Sequence, residues 1–273
     1  MWLEWWACMS QRRVALCIPW AGGAVELIYW YGVLAAVGIF LGALYASKHI
    51  EMEGEDPNMV WDALLWVLIP ALLGARLWYV AQIVLAGGSE YSLSRPLEII
   101  NPRGGGMNIF GGAIIGILAV IIYTVAKKLD GWLLADGATL GLLIGQGIGR
   151  FGNFINIELY GPPTNSAWFG MHVPLENRLS IYRDLPLDTR FHPTMFYEAF
   201  WLFLSFGLLY YLFRRYQERI VHGVMTGAYF VLAGFGRFII EFWRPDQPRI
   251  PGIEIDLSFS RVLSMLYVVL GLI

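Results

Sequence analysis

Charge is scarce in this 273-residue chain. Asp, Glu, Lys and Arg together make up 15% of it, against about 25% in ordinary soluble domains. Lysine is scarcest, occurring only as Lys48, Lys127 and Lys128. The formal net charge is -2 and no basic stripe is present, which argues against a nucleic-acid partner. Only two cysteines occur, Cys8 and Cys17, too few for a disulfide scaffold. Neither suits lipid attachment, since Leu16 stands before Cys17 where a small residue is needed. The four histidines, His49, His172, His192 and His222, are too scattered to suggest a metal site. The chain has no phosphate loop, no nucleophile elbow and no His-Glu-x-x-His. Gly147 to Gly152 matches the dinucleotide fingerprint by spacing alone. It ends an apolar run instead of following a strand in a βαβ unit, so that reading is rejected.

Apolar length is what the chain has in excess. Hydrophobic residues make up 57% and the mean hydropathy is +0.56, which excludes disorder. Residues 27–46 form an uninterrupted apolar run of about the 20 residues a bilayer crossing needs. Similar runs follow at 61–85, 109–126, 132–149, 195–213, 221–240 and 257–273. The expectation is an all-α polytopic membrane protein with about seven transmembrane helices. Its longest stretch outside them, about 153–192, is enough for a small extracytoplasmic head.

Orientation follows from Lys and Arg in short loops. Lys48, Lys127, Lys128, Arg214, Arg215 and Arg219 share one side, taken as cytoplasmic. The N-terminus and the head then lie outside. Arg95, Arg103, Arg178, Arg183, Arg190, Arg244 and Arg249 map to that outer side, so either the charge rule is weak here or function holds them. Residues 1–26 are set apart from the membrane domain at 27–273. Met1 to Cys8 is Trp-rich with Arg12 and Arg13 after it, the wrong order for a signal peptide. Met9 is an alternative start.

Two patterns inside the runs bear on function. Gly141, Gly145 and Gly149 recur every four residues, as do Gly112 and Gly116, a spacing that lets membrane helices approach closely. Ionisable residues in or at the ends of runs are costly in lipid and become functional candidates. These are Asp62, Arg76, Asp136, Arg150, Glu198, Arg237, Glu241 and Arg261. For Asp62, Arg76, Asp136 and Arg261, simple pairing between helices is the favoured reading. Arg150 and Arg237 stand out as fixed cations near the outer boundary with few carboxylates nearby. Arg237, Glu241 and Arg244 lie at i, i+4 and i+7, one helix face reading plus, minus, plus. An arginine fork matches phosphate oxygens, so arginines at headgroup depth suggest an anionic phospholipid. His192-Pro193-Thr194 with Tyr197 and Glu198 also reads as an ordinary helix start. Tyr29-Trp30-Tyr31-Gly32 also reads as interfacial aromatics.

From Gly149 to Gly161 the spacing of Gly149, Arg150, Gly152, Asn153, Asn156, Glu158 and Gly161 resembles bacterial phosphatidylglycerol–prolipoprotein diacylglyceryl transferases. Other segments follow in that family's order. Tyr29 to Gly32 resembles its first-span aromatic motif, and Gly105 to Gly116 its Gly-Gly segment. His192 to Glu198 resembles its His-Pro-Ser/Thr-x-x-Tyr-Glu motif. Gly236 to Arg244 resembles its late Arg-Phe-x-x-Glu-x-x-Arg motif. The likeness covers about residues 25–273. It implies a seven-span bacterial plasma-membrane enzyme with an extracytoplasmic head. Its partners would be phosphatidylglycerol, prolipoprotein signal peptides with a lipobox cysteine, and membrane lipids. The reaction moves sn-1,2-diacylglyceryl from the lipid to the cysteine thiol and releases glycerol phosphate, the first step of lipoprotein maturation. No metal or cofactor is implied. By position, Arg150 and Arg237 are the essential arginines, supported by Asn153, Glu158, Gly161, Glu241 and Arg244. Two positions depart from the pattern. Phe110 stands before Gly111-Gly112 where many members have a proposed histidine base, and Ala233 stands where some carry Tyr.

The chemistry agrees with the residues. Charge grows on the departing phosphate oxygen, and preorganised arginines in a dry site stabilise it. The attacking thiolate belongs to the substrate, and cations lower a thiol's pKa from about 8.5. Glu158 or Glu241 could accept the proton, with His192 or Tyr31 as weaker candidates. Asn153, Asn156, Gly161, Arg244, Tyr31 and His192 join the two arginines as expected substrate-binding residues. Two rivals remain: an anion or lipid transporter, expected to show pseudo-repeated halves, and a non-catalytic lipid-binding relative.

Overall fold

The computed structural model describes residues 13–20, 23–88, 91, 96–101, 106–166, 168–244 and 258–273. The N-terminal reading at Met1 to Arg12, with Met9 as alternative start, lies outside the described residues, as do Gly105, Arg95, Arg103 and Arg249. The fold is mostly helical. Its elements run β1 (Val14–Trp20), β2 (Gly23–Tyr29), α1 (Trp30–Met52), α2 (Asn58–Leu85), α3 (Pro96–Ile100), α4 (Ile109–Lys127) and α5 (Gly131–Asn156). They continue through β3 (Pro163–Thr164), β4 (Met171–His172), β5 (Arg190–Phe191), α6 (Thr194–Tyr216), α7 (Val224–Ile240) and α8 (Phe259–Leu272). Five helical segments among the described residues are long and apolar enough to cross a membrane: 30–52, 58–85, 109–127, 194–219 and 224–243. Their outer faces are apolar: Leu65, Trp66 and Ile69 on α2 are 69%, 67% and 63% exposed. A soluble protein would bury such a face, whereas hydrocarbon solvates it. The chain is a multi-pass membrane protein.

Three expectations need correction. The fold is not all-α, because β1 and β2 form an antiparallel hairpin and β3-β5-β4 a second small sheet. Leu27 to Tyr29, expected in the first span, belong to β2, and the helix starts at Trp30. The fourth helix does not stop at Gly149. It continues through Arg150 and Asn153 to Asn156, so the first residues expected in the head are helical.

The chain divides into two compact units, 1–45 with 138–273, and 46–137. In the second unit α4 packs on α2. A Cβ on Gly111 would sit 2.3 Å from the Gly74 carbonyl oxygen and 2.3 Å from Trp78 Cβ, so only glycine permits this approach. Asn108 caps α4 by accepting from the Phe110 amide at 2.8 Å, satisfying a helix-start donor. Arg76 on α2 is 3% exposed. Its guanidinium donates to the carbonyls of Ile99 (2.9 Å), Glu98 (2.9 Å) and Gly106 (3.0 Å) and to the Tyr91 hydroxyl (3.4 Å). It also lies over the Tyr79 and Tyr91 rings. The expected helix-tying role is therefore carried by carbonyls of α3 and Gly106 and by aromatic rings.

In the first unit the glycine stripe works as expected at two of its three positions. Gly141 faces the backbone of Gly42, and Gly145 that of Gly38. Gly149 has nothing within 4 Å of where a Cβ would stand. Between α5 and α6 the β3-β5-β4 sheet closes over a core of Tyr160, Val173, Phe191 and Met195. Arg178, buried there, donates to the carbonyls of Val173, Leu185, Pro186 and Leu187. That makes it a structural residue of the small sheet region.

Candidate active site

The first unit gathers its charges around Glu198, one turn into α6. Pro193 and Thr194 open that helix as expected, but Glu198 is not an exposed end-of-helix acid. It is 5% exposed and holds three arginines from two directions. Arg150 Nη2 on α5 lies 2.5 Å from Oε2. Arg237 Nη1 on α7 and Arg244 Nη1 each lie 3.3 Å from Oε1. Glu241 completes the cluster. Its Oε2 lies 3.1 Å from Arg237 Nη2, and its Oε1 accepts from Ser258 Oγ at 2.6 Å. Ser258 also caps α8 by accepting from the Arg261 amide, so one serine starts a helix and fixes a carboxylate. Arg237 Nε donates to Ser260 at 2.9 Å.

The plus, minus, plus face is assembled differently from a continuous helix. Helix α7 ends at Ile240, Glu241 to Trp243 form a tight 3₁₀ turn, and Arg244 is extended. The turn still delivers Arg237, Glu241 and Arg244 to one place. Among the described residues of this group three guanidinium ions face two carboxylates. The arginines also differ in exposure. The side chains of Arg150 and Arg237 are 25% and 28% exposed, whereas that of Arg244 is 4% exposed. Arg150 Nε is buried with no hydrogen-bond partner among the described residues. An unmet donor of that kind costs about 1–3 kcal/mol, and an incoming acceptor would recover it.

A polar chain leads from the cluster to a second feature. Arg150 Nη1 donates to Asn153 Oδ1 at 3.2 Å, and Asn153 Nδ2 donates to Glu158 Oε1 at 2.8 Å. Asn156 Nδ2 approaches the same oxygen at 3.4 Å. Glu158 is exposed and is flanked by two non-glycine residues in left-handed backbone, Ile157 (φ 56°) and Leu159 (φ 60°). That conformation is a true outlier for a β-branched residue, and such strain concentrates at functional sites. Glu158 lines a cavity of about 1030 Å³ together with Arg13, Tyr31, Gly32, Asn156, Glu176, Asn177 and several apolar residues. Tyr29 lies in its wall, and its hydroxyl donates to Glu26 at 2.5 Å, which raises the phenol above its ordinary pKa of 10.0.

The expected site residues thus fall into three places. Arg150, Arg237, Glu241 and Arg244 form the cluster. Tyr31, Asn156 and Glu158 line the cavity, with Asn153 as the link. Gly161 and His192 belong to the small sheet region. The Gly161 amide donates to the His192 carbonyl at 2.8 Å. A Cβ on Gly161 would come within 2.8 Å of Thr194 and 2.9 Å of the Trp243 carbonyl oxygen. Gly161 thus lets the backbone close on the turn that carries Arg244. His192 Nδ1 pairs with the Tyr197 hydroxyl at 3.0 Å. The residue that sequence reasoning undervalued is Glu198. Its signal was a carboxylate inside an apolar run beside a His-Pro helix start.

Residues 23–273 match the family model described as prolipoprotein diacylglyceryl transferase. The chain is similar to proteins named phosphatidylglycerol–prolipoprotein diacylglyceryl transferase from several bacteria. That of Chloroflexus aggregans is 33% identical over 90% of this chain and 84% of the relative. That of Synechococcus elongatus is 35% identical over 90% and 83%, and that of Finegoldia magna 34% identical over 90% and 89%. With a match over this much of its length, the chain belongs to the prolipoprotein diacylglyceryl transferase family.

Proposed function

We propose that this chain transfers the sn-1,2-diacylglyceryl group of phosphatidylglycerol to the lipobox cysteine thiol of a prolipoprotein and releases glycerol phosphate. The observation that carries the reading is the Glu198 cluster. Arg244 and Glu198 are its buried anchors, while Arg150 and Arg237 keep exposed faces on which a phosphate can sit. In the reaction the thiolate sulfur bonds to the glycerol carbon that bears the phosphate ester, and that carbon–oxygen bond breaks. The electron pair leaves on the phosphate, whose charge grows as it departs. Arg150 and Arg237, held in advance by Glu198 and Glu241, stabilise that growth without rearranging. The thiol proton passes to Glu158, which is exposed to the cavity and coupled to Arg150 through Asn153. Glu241 is 2% exposed and engaged with Arg237 and Ser258, which suits it to positioning rather than proton transfer.

The same reading extends to topology. Adding α5, of 26 residues, and α8, of 14, to the five long apolar segments makes seven crossings. The segment from Ile157 to Pro193 is the extracytoplasmic head. The side bearing Lys48, Lys127, Lys128 and Arg214 is cytoplasmic, and the membrane is the bacterial inner membrane. Residues 27–273 form the transferase domain.

The test is an assay of the purified protein with labelled phosphatidylglycerol and a lipobox peptide. The expected result is a peptide heavier by one diacylglyceryl group, with release of one glycerol phosphate. Absence of transfer, with or without movement of the anion across a vesicle membrane, would overturn the reading. Glu158→Gln should cost about 10²–10⁴ in turnover, the usual contribution of a positioned base, and flatten the pH profile. A Glu158→Gln enzyme with an unchanged pH profile would remove Glu158 from proton transfer.

A further inference from the structure

Resting on that reading, we infer that the cavity at Glu158 is the acceptor site, and that Glu176, Asn177 and Gly32 fit it to the prolipoprotein segment carrying the thiol. A reaction between an anionic lipid and a peptide thiol needs two compartments of different character. The Glu198 cluster sets three guanidinium ions against two carboxylates among the described residues. The cavity carries the opposite balance, with Glu158 and Glu176 against Arg13. A phosphate approaching the two carboxylates is repelled, whereas a neutral peptide is not. The Arg150–Asn153–Glu158 chain joins the compartments, so the thiol meets its base at one end and the departing phosphate meets its cations at the other.

The walls of the cavity suit a peptide. Its volume of about 1030 Å³ is at the top of the range of about 300–1,000 Å³ seen for small-ligand sites. That is far more than a thiol alone requires. Leu27, Ile28, Ile155 and Ile157 give it apolar lining that can take the side chains next to the cysteine. Glu158, Glu176 and Asn177 add side-chain oxygens that can accept from the amides of an extended backbone. Glu176 and Asn177 are exposed and sit on a short 3₁₀ turn. The turn is fixed because the Tyr160 hydroxyl donates to the Asn177 carbonyl at 3.2 Å and accepts from the Leu179 amide at 2.5 Å. Gly32 stands in the first turn of α1 on the cavity wall, with nothing within 4 Å of where a Cβ would project. A Cβ added there meets open space, so substitution at this wall position clashes with no neighbour at Cβ.

The experiment uses the full chain in nanodiscs containing phosphatidylglycerol and a fluorescent lipobox peptide. Transfer is read as the peptide's mass shift. Binding is read separately, as anisotropy, with a peptide in which serine replaces the acceptor cysteine. Gly32→Phe and Glu176→Gln should each raise the peptide KM and the Kd of the serine peptide by about tenfold, as expected for one lost charge-assisted contact or one blocked subsite. The KM for phosphatidylglycerol should not move. Unchanged peptide Kd and KM in both variants would overturn the acceptor assignment even if the wild type transfers normally. A wild type that makes no transfer, yet binds the serine peptide in a Gly32→Phe-sensitive way, would leave the acceptor site standing and defeat the transferase reading alone.

Discussion

Arg76 and Arg150 are both arginines on long helices, yet their surroundings give them different work. Arg76 in the second unit is 3% exposed and donates to two carbonyls of α3, the Gly106 carbonyl and a tyrosine hydroxyl. Those acceptors are neutral and fixed, and the bonds tie α3, Tyr91 and Gly106 to α2. Arg150 in the first unit shares Glu198 with Arg237 and Arg244, keeps a quarter of its side chain exposed and has a buried Nε with no hydrogen-bond partner among the described residues. Placement on a long helix therefore does not by itself single out the arginine suited to the proposed chemistry. The partners do: carbonyls saturate a guanidinium, whereas a shared carboxylate aims it and leaves capacity for an anion.

The comparison breaks most sharply at Glu198. Glu198→Gln keeps the shape but removes the charge that three guanidinium ions share. Breaking a buried ion pair in this way costs about 3–5 kcal/mol. A large drop in thermal unfolding temperature in detergent is expected, with activity lost alongside. An equally stable, equally active Glu198→Gln protein would mean that the cluster is not electrostatically anchored.

Arg150→Lys and Arg237→Lys should come next. Lysine keeps the charge but lacks the planar fork that spans two oxygens. Losing one preorganised transition-state donor costs about 2.7–4 kcal/mol, or about 10²–10³ in rate. The measurement is single-turnover transfer on protein shown to be folded. Near wild-type turnover by either lysine variant would remove the two-oxygen grip from the mechanism.

Arg76→Lys sharpens the comparison from the other side. An ammonium cannot reach the same four acceptors, so about 1–3 kcal/mol of stability should be lost through unmet hydrogen bonds. Transfer per folded molecule should stay at the wild-type level. A folded Arg76→Lys protein with the hundredfold defect expected for Arg150→Lys would erase the distinction between the two arginines.

Much of this arrangement was legible in the sequence, and the parts that were not have physical reasons. Long apolar runs located the helices because lipid demands internally satisfied backbone. The hairpin was not legible. Val14 to Ile18 is apolar without clear alternation, and Leu27 to Tyr29 merges with the apolar start of α1. The extension of α5 was missed because Arg150, Asn153 and Asn156 read as the exit from the membrane. Polarity does not end a helix when those side chains find partners in one unit, as Arg150 does with Glu198 and Asn153. Glu198 was undervalued because an acid near a helix start already has an ordinary explanation. Only the packing of α5, α6 and α7 reveals that it faces three cations.

Phe110 gives the smallest expected effect and separates packing from chemistry at the Gly111-Gly112 pair. Its backbone amide is held by the Asn108 cap, and the ring is 42% exposed. Gly111, not Phe110, makes the close approach to α2 at Gly74 and Trp78. The ring has no acceptor, so it can take no proton from a thiol. Partial burial of a side chain this size contributes on the order of 1 kcal/mol. Phe110→Ala should therefore lower stability slightly and turnover by less than about tenfold. Restoring the imidazole of other family members gives the counter-test. If Glu158 is the base, Phe110→His should leave the pH profile of transfer where the wild type has it. If Phe110→His instead raised turnover well above wild type with a new pH-dependent limb, proton removal at this position would matter, and the assignment of the base to Glu158 would be withdrawn.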